Sequence, residues 1–186
     1  MGLTYHMTVA GLERDLPLCP LNDELCIGAF VIFGDCELTE ACARELLKKA
    51  PPFDYIITAE SKGIPIAYEM ARQIKAPKWL LARKGVKLYM QNVLGVEVRS
   101  ITTDHVQHLY IDGNDAELMR GKRILLVDDV ISTGESLHAL EELVEKAGGI
   151  VAGRMAILAE GDAQTRDDLI YLEKLPLFKA DGSVVE

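Results

Sequence analysis

The sequence predicts an α/β protein: an open, twisted, mostly parallel sheet flanked by helices. Three observations predict it. Short apolar runs of strand length alternate with segments whose apolar residues recur at helical spacing. The runs are apolar almost throughout, as strands buried on both faces are. The loops after two of them are short and polar, with glycine or small residues, as expected where strands of an open sheet end on a ligand.

Size and composition fit this class. A chain of 186 residues suits a single domain, 1–186, with room for a good core. Hydrophobic residues make up 49% and charged residues 26%, ordinary values for a globular protein. No apolar run approaches the ~20 residues of a membrane span. Met1 to Ala10 has neither a basic start nor a long apolar core, so no signal peptide and a cytoplasmic location are expected. The net charge of −9 argues against general affinity for nucleic acid or anionic membrane. Cys19, Cys26, Cys36 and Cys42 form no C-x-x-C pair and read as free, mostly buried thiols.

Residues 1–28 show no clear periodicity and are punctuated by Pro17, Pro20, Asn22 and Asp23. Ala29–Phe33 is a short apolar run closed by Gly34-Asp35. Thr39 is the expected N-cap of a helix from about Glu40 to Lys49, stopped by Pro51-Pro52. Tyr55–Ala59 reads as a buried strand, Glu60-Ser61-Lys62-Gly63 as a tight loop, and Ile64–Lys75 as a helix that tolerates Pro65 in its first turn. Trp79–Ala82 is the next strand, which completes a βαβ unit. Residues 83–98 are polar and poorly periodic. Val96–Thr102 and Gln107–Ile111 suggest a hairpin, and Asp115–Met119 one helical turn. Ile124–Val127 is a buried strand and Leu137–Ala147 a helix closed by Gly148-Gly149. Ile150–Ala159 is a strand, 160–168 a loop, Leu169–Leu172 a short edge strand, and Leu175–Phe178 a last apolar contact.

The chain is organised around Val127-Asp128-Asp129-Val130-Ile131-Ser132-Thr133-Gly134-Glu135-Ser136. A buried strand runs into two adjacent carboxylates, a small-residue loop and a helix. Free N–H groups and the positive dipole end of a helix suit a phosphate. Ser132, Thr133 and Ser136 add hydroxyl donors. The two aspartates can accept from vicinal hydroxyls or face a magnesium ion. A ligand with a phosphate, a diol and a metal is a phosphorylated sugar. A receiver domain also pairs aspartates at a strand end, but only 57 residues follow Asp129 here, too few for the rest of that fold. A Walker B strand lacks its companion, since the chain has no G-x-x-x-x-G-K-[ST]. An ordinary solvated strand end does not account for the Ser-Thr-Gly loop.

Val127–Gly134 resembles the signature of the type I phosphoribosyltransferases. The resemblance spans roughly Ala29 to Phe178 and implies that family's fold, with a small N-terminal hood (about 1–35) and a flexible lid (about 83–101). It implies a Mg²⁺-dependent enzyme that transfers the 5-phosphoribosyl group of phosphoribosyl pyrophosphate (PRPP) to a nucleobase in purine salvage. Asp128 and Asp129 would hold the ribose hydroxyls and the metal, directly or through water. Val130 to Ser136 would hold the 5′-phosphate. Glu60, Ser61, Lys62 and Gly63 would hold pyrophosphate with Arg83, Lys84 and Lys87, whose Arg-Lys-x-x-Lys-Leu pattern is similar to the adenine-type branch; Lys87, Asp128 and Asp129 are the expected catalytic residues. Phe30 and Phe33 of the hood, with Ile131, would enclose the base. A homodimer is expected from the family.

Three departures from the family pattern bear on the substrate. Glu135-Ser136 stands where Gly-Thr is common. Ser100-Ile101-Thr102-Thr103 stands where adenine enzymes carry Ser-x-Glu-Tyr. Tyr89 replaces the proline usual after Lys-Leu. Adenine is the first expectation for the acceptor, with hypoxanthine, guanine or xanthine as the alternative. A non-catalytic PRPP-sensing regulator and a transferase for a non-purine acceptor are the other readings.

Overall fold

The computed structural model describes residues 2–99 and 106–185. The chain runs Thr4–Val9 (β1), Leu12–Pro20 (β2), Leu25–Gly28 (β3), Cys36–Lys49 (α1), Tyr55–Ala59 (β4), Ile64–Gln73 (α2), Leu80–Ala82 (β5), Leu94–Arg99 (β6), Val106–Ile111 (β7), Gly113–Met119 (α3), Arg123–Ile131 (β8), Glu135–Lys146 (α4), Ile150–Glu160 (β9), Leu169–Leu175 (β10) and Leu177–Lys179 (β11). A 3-10 turn, Gly161–Thr165, links β9 to β10.

The central sheet has the order β10-β9-β8-β4-β5, and every neighbouring pair is parallel. Its strands are apolar because both faces are covered. Along β8, Ile124 and Leu126 pack into one core, while Leu125 and Val127 pack into the other. In β4, Ile57 and Ile56 divide the same way. The first core takes in α3, α4 and the β6–β7 hairpin; the second takes in α1, α2 and the N-terminal strands. The α/β class and the parallel sheet are as the sequence predicts.

The N-terminal region is more ordered than its sequence suggests. β1, β2 and β3 join β11 in a four-stranded antiparallel sheet, so the last strand of the chain closes on the first segment. Val9 pairs with Leu12 across a two-residue turn in which Ala10 and Gly11 both have positive φ, 51° and 82°. That is a hairpin turn of the primed kind. Alanine is an uncommon occupant of its first position, which is why the turn carries no sequence signal. Only Met7 and Val9 of β1 are buried, so the strand's alternation is weak.

Other boundaries shift for local reasons. Helix α1 starts four residues earlier than expected, because Asp35 is the N-cap: its carboxylate accepts from Leu38 N at 3.0 Å. Thr39 lies inside the helix, its hydroxyl donating to the Asp35 carbonyl at 2.7 Å. The β8 strand does not stop at the acids but continues to Ile131, paired with Ala159 of β9. Two of the four free thiols, Cys26 and Cys42, are buried and two, Cys19 and Cys36, are exposed. Burial pushes the Cys42 thiol up to about 12. Among the described residues no helix is long and apolar enough to cross a membrane. The expected lid is partly ordered structure: its end, from Leu94, pairs with β7. Residues 100 and 101, and the Ser100–Asp104 stretch that bears on the acceptor, lie outside the described residues.

Candidate active site

The register of β4 on β8 brings the site together. Asp54 pins the start of the pair, accepting from Arg123 N at 2.8 Å and from its guanidinium at 3.0 Å. Tyr55 then lies opposite Ile124 and Ile57 opposite Leu126, a register that brings Ala59, the end of β4, level with Asp128 while β8 runs on to Ile131. The loop leaving β4, Glu60–Gly63, emerges beside Asp128 on the carboxyl edge of the sheet.

The contact there is close. A methyl group at Gly63 would stand 2.1 Å from Thr58 Oγ1 and 2.9 Å from Asp128 Oδ1. Glycine is therefore needed at this position for approach and not for an unusual φ, which is −70°. Lys62 reaches back over the strand, its Nζ 3.3 Å from Asp129 Oδ2. Asp129 is only 3% exposed, and apart from that ammonium, Oδ2 has no hydrogen-bond partner among the described residues. Asp128 Oδ1 accepts from Asp129 N at 2.9 Å. Burial and the neighbouring Asp129 charge push the Asp128 carboxyl well above the usual carboxylate range, to about 8. Two crowded carboxyls facing one lysine form an acidic site that a cation or a set of hydroxyl donors would relieve.

The second loop follows β8. Ser132 and Thr133 are exposed, and Gly134 occupies the left-handed region, φ 79°, at the N-cap of α4. Among the described residues no side chain caps this helix, which leaves its first-turn N–H groups for a ligand. The loop and helix start line a small cleft of about 60 Å³, bounded by Asp128 and Val130–Leu137. Such a cradle suits a phosphate. The Ser136 hydroxyl, expected to face that phosphate, instead donates to Gln107 Oε1 at 3.2 Å, tying α4 to β7.

The third loop is joined to the first. Glu60 Oε1 lies 3.1 Å from Arg83 Nη2, and Glu60 Oε2 accepts from Lys84 N at 3.0 Å. Arg83 also exchanges backbone hydrogen bonds with Tyr110, at 2.7 and 2.8 Å. Glu60 thus acts as a brace between loops, a geometry its sequence position did not reveal. Lys84 is exposed. Lys87 is half-buried, and its N–H donates to Met90 Sδ. Neither side chain contacts Asp128 or Asp129 among the described residues. Leu88 and Tyr89 stand in solvent.

The three expected base-pocket residues fall in different surroundings. Phe30 is a core residue at 3% exposure, packed with Met7, Leu16 and Ile32 on the α1–α2 side, whereas Ile131 belongs to the core on the α4 side. Burial removes the free face that Phe30 would need for stacking on a base. Phe33 is 49% exposed and is not buried against either. The sequence reading also missed Thr58, which is fully buried beneath Gly63, and Arg166, whose Nη1 would be 2.8 Å from a methyl group on Gly134. Their only sequence signal is position: each lies in or just beyond a strand of the sheet edge that carries the site. Glu160, the last residue of β9, belongs with them. Its carboxyl is pushed up by burial, against the opposing charge of Lys62.

Among the described residues no three His, Cys, Asp or Glu side chains gather as a self-sufficient metal site. The donors present still fit magnesium. They are hard carboxylate oxygens, one buried without an aligned partner, and Mg²⁺ is commonly held by one or two carboxylates with substrate oxygens and water completing the shell.

A model of the phosphoribosyl transferase domain family matches residues 38–177. The chain is similar to the hypoxanthine/guanine phosphoribosyltransferase of Methanococcus voltae, 29% identical over 135 residues that cover 73% of this chain and 68% of that protein. It is 30% identical over 139 residues to the xanthine phosphoribosyltransferase of an Exiguobacterium species, covering 73% and 70%. Its fold is similar to that of the adenine phosphoribosyltransferase from Thermoanaerobacter pseudethanolicus, with a TM-score of 0.64, 25% identity, and coverage of 77% of this chain and 83% of that one. With the family model matching about three-quarters of its length, the chain belongs to the phosphoribosyltransferase family.

Proposed function

We propose that this protein is a purine phosphoribosyltransferase. It would transfer the 5-phosphoribosyl group of PRPP to a ring nitrogen of a purine, releasing pyrophosphate and a nucleoside monophosphate. The observation that carries this reading is the meeting of Lys62 and Gly63 with Asp128 and Asp129, beside a helix start at Gly134 that no described side chain caps. A ligand there meets, in sequence, a cation, two carboxylates and a phosphate cradle. PRPP offers the matching order of pyrophosphate, ribose diol and 5′-phosphate.

Each residue then has a physical task. The 132–136 loop binds the 5′-phosphate through backbone N–H groups. Asp128 and Asp129 accept from the ribose hydroxyls and favour the positive charge that develops at C1 as its bond to pyrophosphate lengthens. Lys62, with Arg83, Lys84 and Lys87, neutralises the departing pyrophosphate. Bound magnesium supplies further charge stabilisation to that leaving group. No nucleophile from the enzyme is needed; the purine attacks once it is held near C1.

Adenine stays the first expectation for the acceptor by a narrow margin. The adenine-type Arg83-Lys84-x-x-Lys87-Leu88 pattern supports it. Relatives named for hypoxanthine, guanine and xanthine keep the oxopurines in contention. A homodimer remains part of the proposal. The test is a screen of radiolabelled bases with PRPP and Mg²⁺, read as formation of labelled nucleotide. Turnover of one purine is expected. A folded protein that converts no purine would overturn the reading.

A further inference from the structure

Arg166 lies outside the signature, in the turn between β9 and β10, yet it covers the start of α4. An ideal methyl group on Gly134 would meet its Nη1 at 2.8 Å. The guanidinium is held in place from the other side. Its Nε and Nη2 donate to the two oxygens of Asp168 at 2.9 and 2.8 Å. Asp168 is shared with Arg154 of β9, at 3.4 Å, and Arg154 also pairs with Glu141 of α4. One edge of the Arg166 fork is therefore spent on a brace anchored in the strand and the helix. Nη1 has no hydrogen-bond partner among the described residues. It sits against the only backbone position in the cradle with a left-handed φ.

The chemistry of the cradle calls for such a group. Glu135 places a carboxylate in the first turn of α4, beside the N–H groups that would meet a phosphate. Backbone donors and a helix dipole favour an anion only modestly at exposed sites. A fixed guanidinium adds a stronger donor to them, because charge-assisted hydrogen bonds to phosphate are stronger than neutral ones. Arginine also matches two phosphate oxygens at once, which a backbone N–H does not.

We infer that Arg166 is a phosphate-binding residue of this site: it donates from Nη1 to the 5′-phosphate of the phosphosugar, and Asp168 positions it. The inference rests on the PRPP reading above. Asp168 leaves the donor unchanged but fixes its direction, so the two residues have separable effects.

The experiment is titration calorimetry of the full chain, in the presence of Mg²⁺, with ribose 5-phosphate and, separately, with inorganic pyrophosphate. Arg166→Met is expected to weaken ribose 5-phosphate about ten- to a hundredfold, the range for loss of a charge-assisted hydrogen bond. Pyrophosphate affinity should stay within about twofold. Arg166→Lys should recover part of the loss, and Asp168→Asn should lose less than Arg166→Met. Equal weakening of both ligands would mean a merely structural role and would overturn the assignment. So would unchanged ribose 5-phosphate affinity in a folded variant. If Arg166→Met does not fold, Arg166→Lys and Asp168→Asn decide by the same ratio. Wild-type protein that binds neither ligand would overturn the PRPP reading itself, a result distinct from a failure of Arg166.

Discussion

Gly63→Ala probes whether the β4–α2 loop must lie against the carboxylate strand for the site to work. The backbone at Gly63 is in the right-handed helical region, so alanine brings no conformational penalty of its own. The whole effect is steric. The new methyl would meet Thr58 Oγ1 at 2.1 Å, Asp128 Oδ1 at 2.9 Å and Asp128 Cα at 3.3 Å. The first contact falls short of ordinary packing by about 1.3 Å, deep on the repulsive side of the potential. Thr58 is fully buried, and Asp128 is held in the middle of the sheet, so neither can withdraw. The loop must move instead. Overpacking of this kind costs about 1–3 kcal/mol. A displacement of about 1 Å at a reacting centre is enough to lower turnover about a hundredfold. Urea unfolding should therefore show a stability loss in that range, with kcat/KM for PRPP down about a hundredfold. Adding Thr58→Ala removes the worst contact and its weak 3.4 Å hydrogen bond, but leaves both contacts to Asp128. The double variant should regain stability while activity stays low, a coupling that a double-mutant cycle measures directly. Gly63→Ala protein with wild-type stability and wild-type PRPP affinity would refute the close packing.

Three further outcomes follow from the same geometry. The raised Asp128 carboxyl binds its proton more tightly folded than unfolded; its contribution to stability is present below the ordinary carboxylate range and lost as pH rises towards about 8. Asp129→Asn removes the second of its two main causes, so the fall in melting temperature between pH 5 and 8 should become shallower, while transferase activity drops at least about tenfold; an unchanged pH slope would count against the coupling. Glu60→Ala releases Arg83 and the Lys84 N–H, and should cost about 1 kcal/mol in urea unfolding and raise KM for PRPP more than it lowers kcat. Leu46→Ala, at a fully buried position of α1, should cost about 2–5 kcal/mol yet leave the specific activity of the folded fraction unaltered, measured by initial rates well below the melting point.

How much of this was legible in the sequence differs between strand and loop. The central strands were readable because burial on both faces makes them apolar throughout, and only their ends were misplaced. The β8 strand runs past the acids because β9 pairs with it to Ile131, and no local residue announces that pairing. The N-terminal strands were not readable for the opposite reason. They bury few residues, and one edge of their sheet is supplied by Leu177–Lys179 from the far end of the chain. Phe30 shows the limit of composition as a guide: an aromatic in an apolar run is equally compatible with a stacking platform and a core, and its packing against Leu16 and Ile32 makes it core.

Charge in the site was the least legible property. Glu60, read as part of a phosphate loop, braces Arg83. Ser136, read as a phosphate donor, is engaged by Gln107. Arg166, in a segment that reads as a polar loop, lies over Gly134. In each case the partner is distant in sequence: 23 to 32 residues separate the first two pairs and the third. A loop motif therefore specifies where an anion can bind, through its backbone, but not the charge that anion meets. The Glu135 departure illustrates the consequence. Judged within the motif, a carboxylate beside a phosphate weakens the site. Judged with Arg166, whose Nη1 lies against Gly134, the start of the helix that carries Glu135 also meets a guanidinium held by Asp168, and that cation is the one the proposed phosphate contact uses.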